Sequence, residues 1–88
     1  MNAYVYILQF DRTGKYYVGS TDNLTRRLSQ HRSGNTPSTK HLGKFKLVFQ
    51  QEFNDLNTAR KTERKIKSWK RRDFIEKIIQ DGKILSIS

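Results

Sequence analysis

Residues Ala3 to Phe10 put apolar side chains on both faces of an extended chain, with Tyr4, Tyr6 and Leu8 on one side and Val5 and Ile7 on the other. A strand with two apolar faces must be covered above and below, so it belongs in the centre of a sheet. In a chain of 88 residues that demand uses most of the core that can be built, and it leaves room for a single small domain. The segment Asp11-Arg12-Thr13-Gly14-Lys15 has turn chemistry, and Tyr16 to Gly19 resumes β-favouring residues. Together they predict a β-hairpin in which Tyr17 points opposite to Val18.

The remaining elements follow from spacing. Ser20-Thr21-Asp22 offers N-cap residues, and Leu24 and Leu28 at i, i+4 predict an amphipathic helix to about Arg32, stopped by Gly34. Ser33 to His41 is polar, holds the only proline and reads as a mobile loop. Phe45, Leu47, Phe49 and Phe53 at even intervals imply a third strand with one face on the core. Asn57 or Asp55 can cap a second helix through about Trp69, with Trp69 anchoring it to a third helix. That third helix starts near Arg71, buries Phe74, Ile75, Ile78 and Ile79, and ends at Gly82. The expected fold is α+β: a small central three-stranded, largely antiparallel sheet flanked by helices in the order ββαβαα. Residues 1–82 are expected to form the domain and 83–88 a C-terminal tail.

Composition narrows the partners. With 34% hydrophobic and 30% charged residues the chain is a folding one, and its formal net charge of +10 gives it a field suited to polyanions. Cysteine is absent, which excludes disulfides and thiolate metal sites, and no apolar run is long enough for a signal or a membrane span. A reducing, cytoplasmic or nucleoid setting is the expectation. From Leu56 to Arg72 the chain is basic, and Glu63 is its one acid. Helical spacing sets Ala59, Thr62, Glu63 and Ile66 on one side of the second helix, so Glu63 should face inward. In the first helix the same arithmetic places Arg27 and His31 beside the Leu24 and Leu28 stripe.

Such a set suits attack on a phosphodiester. One carboxylate can hold a magnesium ion, which needs only one or two protein carboxylates. An arginine clamps phosphate oxygens, and a tyrosine or histidine can take a proton from water. Tyrosine's ordinary pKa of about 10 makes it a weak base without help from its surroundings. Each residue also has a plainer role: Tyr6 and Tyr17 as half-buried strand tyrosines, His31 as a satisfied structural histidine, Glu63 in an ion pair with Arg60, Lys67 or Arg27.

Tyr4-Val5-Tyr6 and Tyr17-Val18-Gly19, then Asn23-Leu24 with Arg27 and His31, and Ala59 to Trp69 carrying Glu63, resemble the GIY-YIG nuclease domain. The likeness spans nearly the whole chain. It is greatest to small stand-alone bacterial members, which are similar to the incision domain of an excinuclease subunit. Two positions depart from the pattern: Tyr4 stands where the first glycine is usual, and no asparagine follows Asn57. The resemblance implies that Tyr6 and Tyr17 line a catalytic site in which one of them, more often the second, activates the nucleophile. By the same match Arg27 binds the scissile phosphate, His31 assists proton transfer or orients a tyrosine, and Glu63 ligates one Mg²⁺ or Mn²⁺ ion. Lys40, Arg60, Lys61, Arg64, Lys67, Lys70 and Arg71 are the expected nucleic-acid contacts.

The leading expectation is therefore a metal-dependent DNA endonuclease, of a kind used in DNA repair or recombination. The alternative is a non-catalytic nucleic-acid-binding module on the same scaffold. DNA is the expected partner, with RNA also open and membranes not expected. A domain of this size carries no added reading module, which leaves specificity to DNA structure or to a protein partner.

Overall fold

The computed structural model describes residues 2–33, 43–69 and 72–82. The expected loop, apart from Ser33, and the expected tail lie outside them, as do Lys40, Lys70 and Arg71. The elements are β1 (Ala3–Phe10), β2 (Tyr16–Thr21), α1 (Leu24–Arg32), β3 (Phe45–Phe53), α2 (Leu56–Trp69) and α3 (Arg72–Asp81). The three strands form one antiparallel sheet in the order β2-β1-β3, and β1 is central as its two apolar faces require. Among the described residues no helix is long and apolar enough to cross a membrane.

The pairing register sorts the side chains into two layers. Ala3, Val5, Ile7, Val18 and Phe49 are buried with Ala59 and Ile66 of α2 and Ile78 of α3 in one core cluster. On the opposite face lie Tyr6, Leu8 and Phe10, each at most 1% exposed. Tyr17 opposes Leu8 and Gly19 opposes Tyr6, so both belong to this second face. Helix α1 supplies its cover through His31, whose ring meets those of Tyr6, Tyr17 and Phe45 edge-on, at 5.9, 5.1 and 5.9 Å between centroids.

Four sequence expectations are corrected. The α1 cap is Asn23, whose side chain accepts from the Arg26 amide at 3.0 Å. β2 continues to Thr21, whose hydroxyl accepts from the Asn23 amide, and Asp22 pairs with the Arg26 side chain instead. The buried residue of α1 is His31, while Leu24 and Leu28 are half-buried. In β3 the register steps between Ile7, opposite Phe49, and Leu8, opposite Leu47, leaving Val48 as a bulge. That extra residue reverses the alternation, so Phe45 and Leu47 join the His31 face while Phe49 and Phe53 stay with α2 and α3. In α3, Ile78 is buried and Ile75 and Ile79 half-buried, but Phe74 is 38% exposed and packs on Trp69, with 5.1 Å between centroids. It sits at the flank of the stripe, where a helix surface turns from the sheet.

Other expectations hold. Asp55 caps α2 by accepting from the Thr58 amide at 2.7 Å, and this bond holds its carboxyl below the usual carboxylate range. Gly82 ends α3 with φ +77° and its amide on the Ile78 carbonyl at 3.0 Å, a conformation that glycine adopts without strain.

The tightest point of the sheet is the Tyr6–Gly19 pair. A β-carbon on Gly19 would lie 2.5 Å from Cζ of Tyr6, closer than packed atoms can stand. We expect Gly19→Ala to destabilise the domain by about 1–3 kcal/mol in urea unfolding, and Tyr6→Leu to cost less in the Gly19→Ala background than in the wild type. Strictly additive costs would show that the two residues do not compete for space.

Candidate active site

Tyr6 is wholly buried, and its hydroxyl lies 3.0 Å from His31 Nε2 and accepts from Arg27 Nε at 3.3 Å. Since Arg27 can only donate, the phenolic hydrogen is free to donate to His31, provided that Nε2 is the unprotonated nitrogen of a neutral ring. Electrostatics favour the same state. Burial, and secondarily the nearby Arg27 charge, push the His31 pKa down. Burial also raises the Tyr6 pKa, against the Arg27 bond that lowers it, with Tyr17 and Glu63 adding to the rise. The bond to Tyr6, and more weakly one to Tyr17, raises the pKa of Arg27 and secures its charge. Arg27 Nη1 donates to Gln30 Oε1 at 3.2 Å. Tyr17 is half-buried, with its ring 6.4 Å from that of Tyr6.

Glu63 stands on the other side of β2. It faces inward as its helical position requires, with its side chain 21% exposed. The Ser20 hydroxyl donates to one of its carboxylate oxygens, and Lys67 Nζ lies 2.7 Å from the other. Lys67 Nζ is also 5.4 Å from the centroid of the Tyr17 ring, within cation–π range. Lys67 thus bridges the edge of β2, touching Glu63 on one side and Tyr17 on the other. An open groove of about 360 Å³ lies beside this carboxylate, lined by Ser20, Arg60, Glu63, Arg64 and Lys67.

The structure thus brings Tyr6, Tyr17, Arg27 and His31 into one contacting cluster and sets Glu63 next to it across an edge strand. The Lys67 ion pair is one of the plainer partners open to Glu63 from the sequence. Among the described residues no three His, Asp or Glu side chains gather as a metal site. Of the expected nucleic-acid contacts, Arg60, Lys61, Arg64 and Lys67 are exposed on α2, and three of these four line the Glu63 groove.

Comparison with known proteins agrees with this architecture. The model of the GIY-YIG catalytic domain matches residues 2–78. The chain belongs to the GIY-YIG family, a family of nuclease domains. It is 37% identical over 73 residues to the UPF0213 protein BH0048 of Halalkalibacterium halodurans, covering 82% of this chain and 77% of that one. It is 30% identical over 84 residues to a UPF0213 protein of Yersinia pestis, covering 94% and 87%. The solution NMR structure of BH0048, there assigned to Bacillus halodurans, superposes with a TM-score of 0.59 at 34% identity over 93% of this chain and 87% of that one. Membership of this family points to nucleic acid as the class of molecule it meets.

Two participants escaped the sequence reading. Ser20 anchors Glu63, and strand alternation from Tyr17 could have found it, because it places Ser20 on the face that α2 covers. Phe45 closes the far side of His31, but only the Val48 bulge turns it there. Lys67, counted with the DNA-binding cations, is also the partner of Glu63.

The depressed pKa of His31 has a consequence for stability. The unfolded chain binds a proton near the ordinary histidine pKa of about 6.5 while the folded one resists it, so stability falls as pH drops through that value toward the lower folded one. Urea unfolding between pH 7.5 and 5 should show this decline, and His31→Gln should flatten it. An unchanged slope in the variant would assign the decline to other groups.

Proposed function

We propose that this protein is a metal-dependent DNA endonuclease that hydrolyses phosphodiester bonds at the edge of β2. The observation that carries the proposal is the juxtaposition of a charged, tyrosine-anchored Arg27 and a half-exposed Tyr17 with a carboxylate in an open cationic groove. Arg27 binds a non-bridging phosphate oxygen and offsets the charge that grows there, as a positioned guanidinium does. Tyr17 is the phenol of the cluster that water can reach, and in its phenolate form it takes the proton of the attacking water to become the phenol. Tyr6, wholly buried, is a positioning residue: its hydroxyl holds Arg27 and His31 together. Neutral His31 keeps the Tyr6 hydrogen bond and the packing against Tyr17.

Glu63 fits a single Mg²⁺ or Mn²⁺ ion. It is one carboxylate, held in place by Ser20, and magnesium characteristically takes one or two such ligands together with waters and phosphate oxygens. Bound there, the ion would supply positive charge to the phosphate and acidify a water. Lys67 now neutralises that carboxylate, and this ion pair is the observation that favours the second reading, a nucleic-acid-binding module without catalysis.

Nicking of supercoiled DNA with and without Mg²⁺ or Mn²⁺ separates the two. Under the proposal Glu63→Ala and Arg27→Ala lower the metal-dependent rate by at least about 100-fold, and circular dichroism of Glu63→Ala stays that of the wild type. Nicking that survives Glu63→Ala would sink the proposal. Salt-sensitive DNA binding without nicking in the wild type would establish the alternative.

A further inference from the structure

A second groove opens on the other side of Lys67, between β2, the C-terminal part of α2 and the first turn of α3. It measures about 400 Å³, within the range of roughly 300–1,000 Å³ typical of ligand-sized clefts. Its floor is apolar, built from Val18, Ile66 and Ile75. Its walls are aromatic, Tyr16 and Tyr17, and Lys15, Lys67 and Arg72 form a cationic rim. Val18 and Ile66 are buried, Tyr16, Tyr17 and Ile75 half-buried, and the three cations exposed. The Arg72 guanidinium stacks 5.0 Å from the Tyr16 ring centroid. Glu76 of α3 is engaged by Arg72 at 3.7 Å and by the Tyr16 hydroxyl at 3.4 Å.

We propose that this groove binds one unpaired nucleotide of a nucleic-acid strand, its base on Ile75 and the tyrosine walls and its phosphates on the lysine and arginine rim. Three properties select this occupant. An apolar floor under aromatic walls accepts the flat face of a base, which stacks without regard to sequence. A rim of three cations on a chain of net charge +10 complements a phosphate backbone and repels cationic partners. The groove also shares Tyr17 and Lys67 with the candidate active site, so a strand whose phosphate lies at Glu63 delivers its neighbouring nucleotide here. A base paired in a duplex keeps its faces stacked on its neighbours and cannot enter. The inference rests on the endonuclease reading and extends it: the substrates preferred are single strands, flaps and junctions with an unpaired base beside the cleavage point.

Fluorescence anisotropy of the full chain without metal, on labelled oligothymidylate and on a blunt duplex, tests the groove independently of cleavage. The variant Ile75→Lys adds a positive charge but fills the apolar floor. We expect it to bind the single strand about tenfold more weakly than the wild type, the loss of one base stack, with duplex affinity equal or higher. Arg72→Ala, at an exposed position, is expected to weaken single-strand binding more than duplex binding. In NMR spectra of the wild type, oligothymidylate should shift the methyl resonances of Val18 and Ile75. Equal or tighter single-strand binding by Ile75→Lys, or methyl shifts absent at saturation, would overturn the groove. Absence of nicking with these binding results intact would overturn the nuclease reading alone.

Discussion

The site hangs on one phenol lying flat across a glycine. Tyr6 can run under β2 only because residue 19 has no side chain, and once there its hydroxyl is the shared partner of Arg27 and His31. A buried hydroxyl without partners costs about 1–3 kcal/mol, so the sheet demands something polar from the helix that covers it. Helix α1 answers with a guanidinium and an imidazole from positions four apart, which share one face. The polar layer is thus as much a product of core packing as of chemistry. His31, nearly sealed from solvent, takes the place of the leucine that an ordinary amphipathic helix would bury.

The edge position of β2 explains how residues from opposite layers can cooperate. Side chains alternate across the sheet, so Tyr17 and Ser20 face different helices, and a central strand would keep them apart. At an edge the two layers meet around the rim. Lys67 makes the connection, with its ammonium near both the Tyr17 ring and the Glu63 carboxylate. Two grooves share this lysine, one beside the carboxylate and one beside the tyrosines.

Much of this arrangement was legible in the sequence, and what was not has physical causes. The central strand was readable because two apolar faces admit no other placement, and the inward turn of Glu63 because helical periodicity is strict over one turn. The clustering of Tyr6, Tyr17, Arg27 and His31 followed from alternation along the strands and the family resemblance taken together. The faces of β3 were not legible, because a bulge at Val48 changes nothing in composition yet reverses every side chain beyond it. The α1 cap moved from the Ser20-Thr21-Asp22 run to Asn23 because β2 keeps Ser20 and Thr21 and the helix begins only at Leu24. Ser20 was missed as a partner of Glu63 because alternation gives only the face of β2 that α2 covers, and which residue of that face meets the carboxylate depends on how α2 docks.

That Lys67 neutralises Glu63 need not count against a metal there. Their side chains are 48% and 21% exposed, and an ion pair so open to water is worth about 0–1 kcal/mol. A phosphate arriving at the groove offers Lys67 a partner at least as good, and leaves Glu63 held by Ser20. Were a divalent ion to come with that phosphate, each charge would exchange one partner for another and none would be left alone. A lysine that departs only when phosphate replaces the carboxylate would tie completion of the site to the presence of substrate. In a domain with a net charge of +10, such coupling matters, because polyanions bind many of its faces and only one of those faces carries the carboxylate.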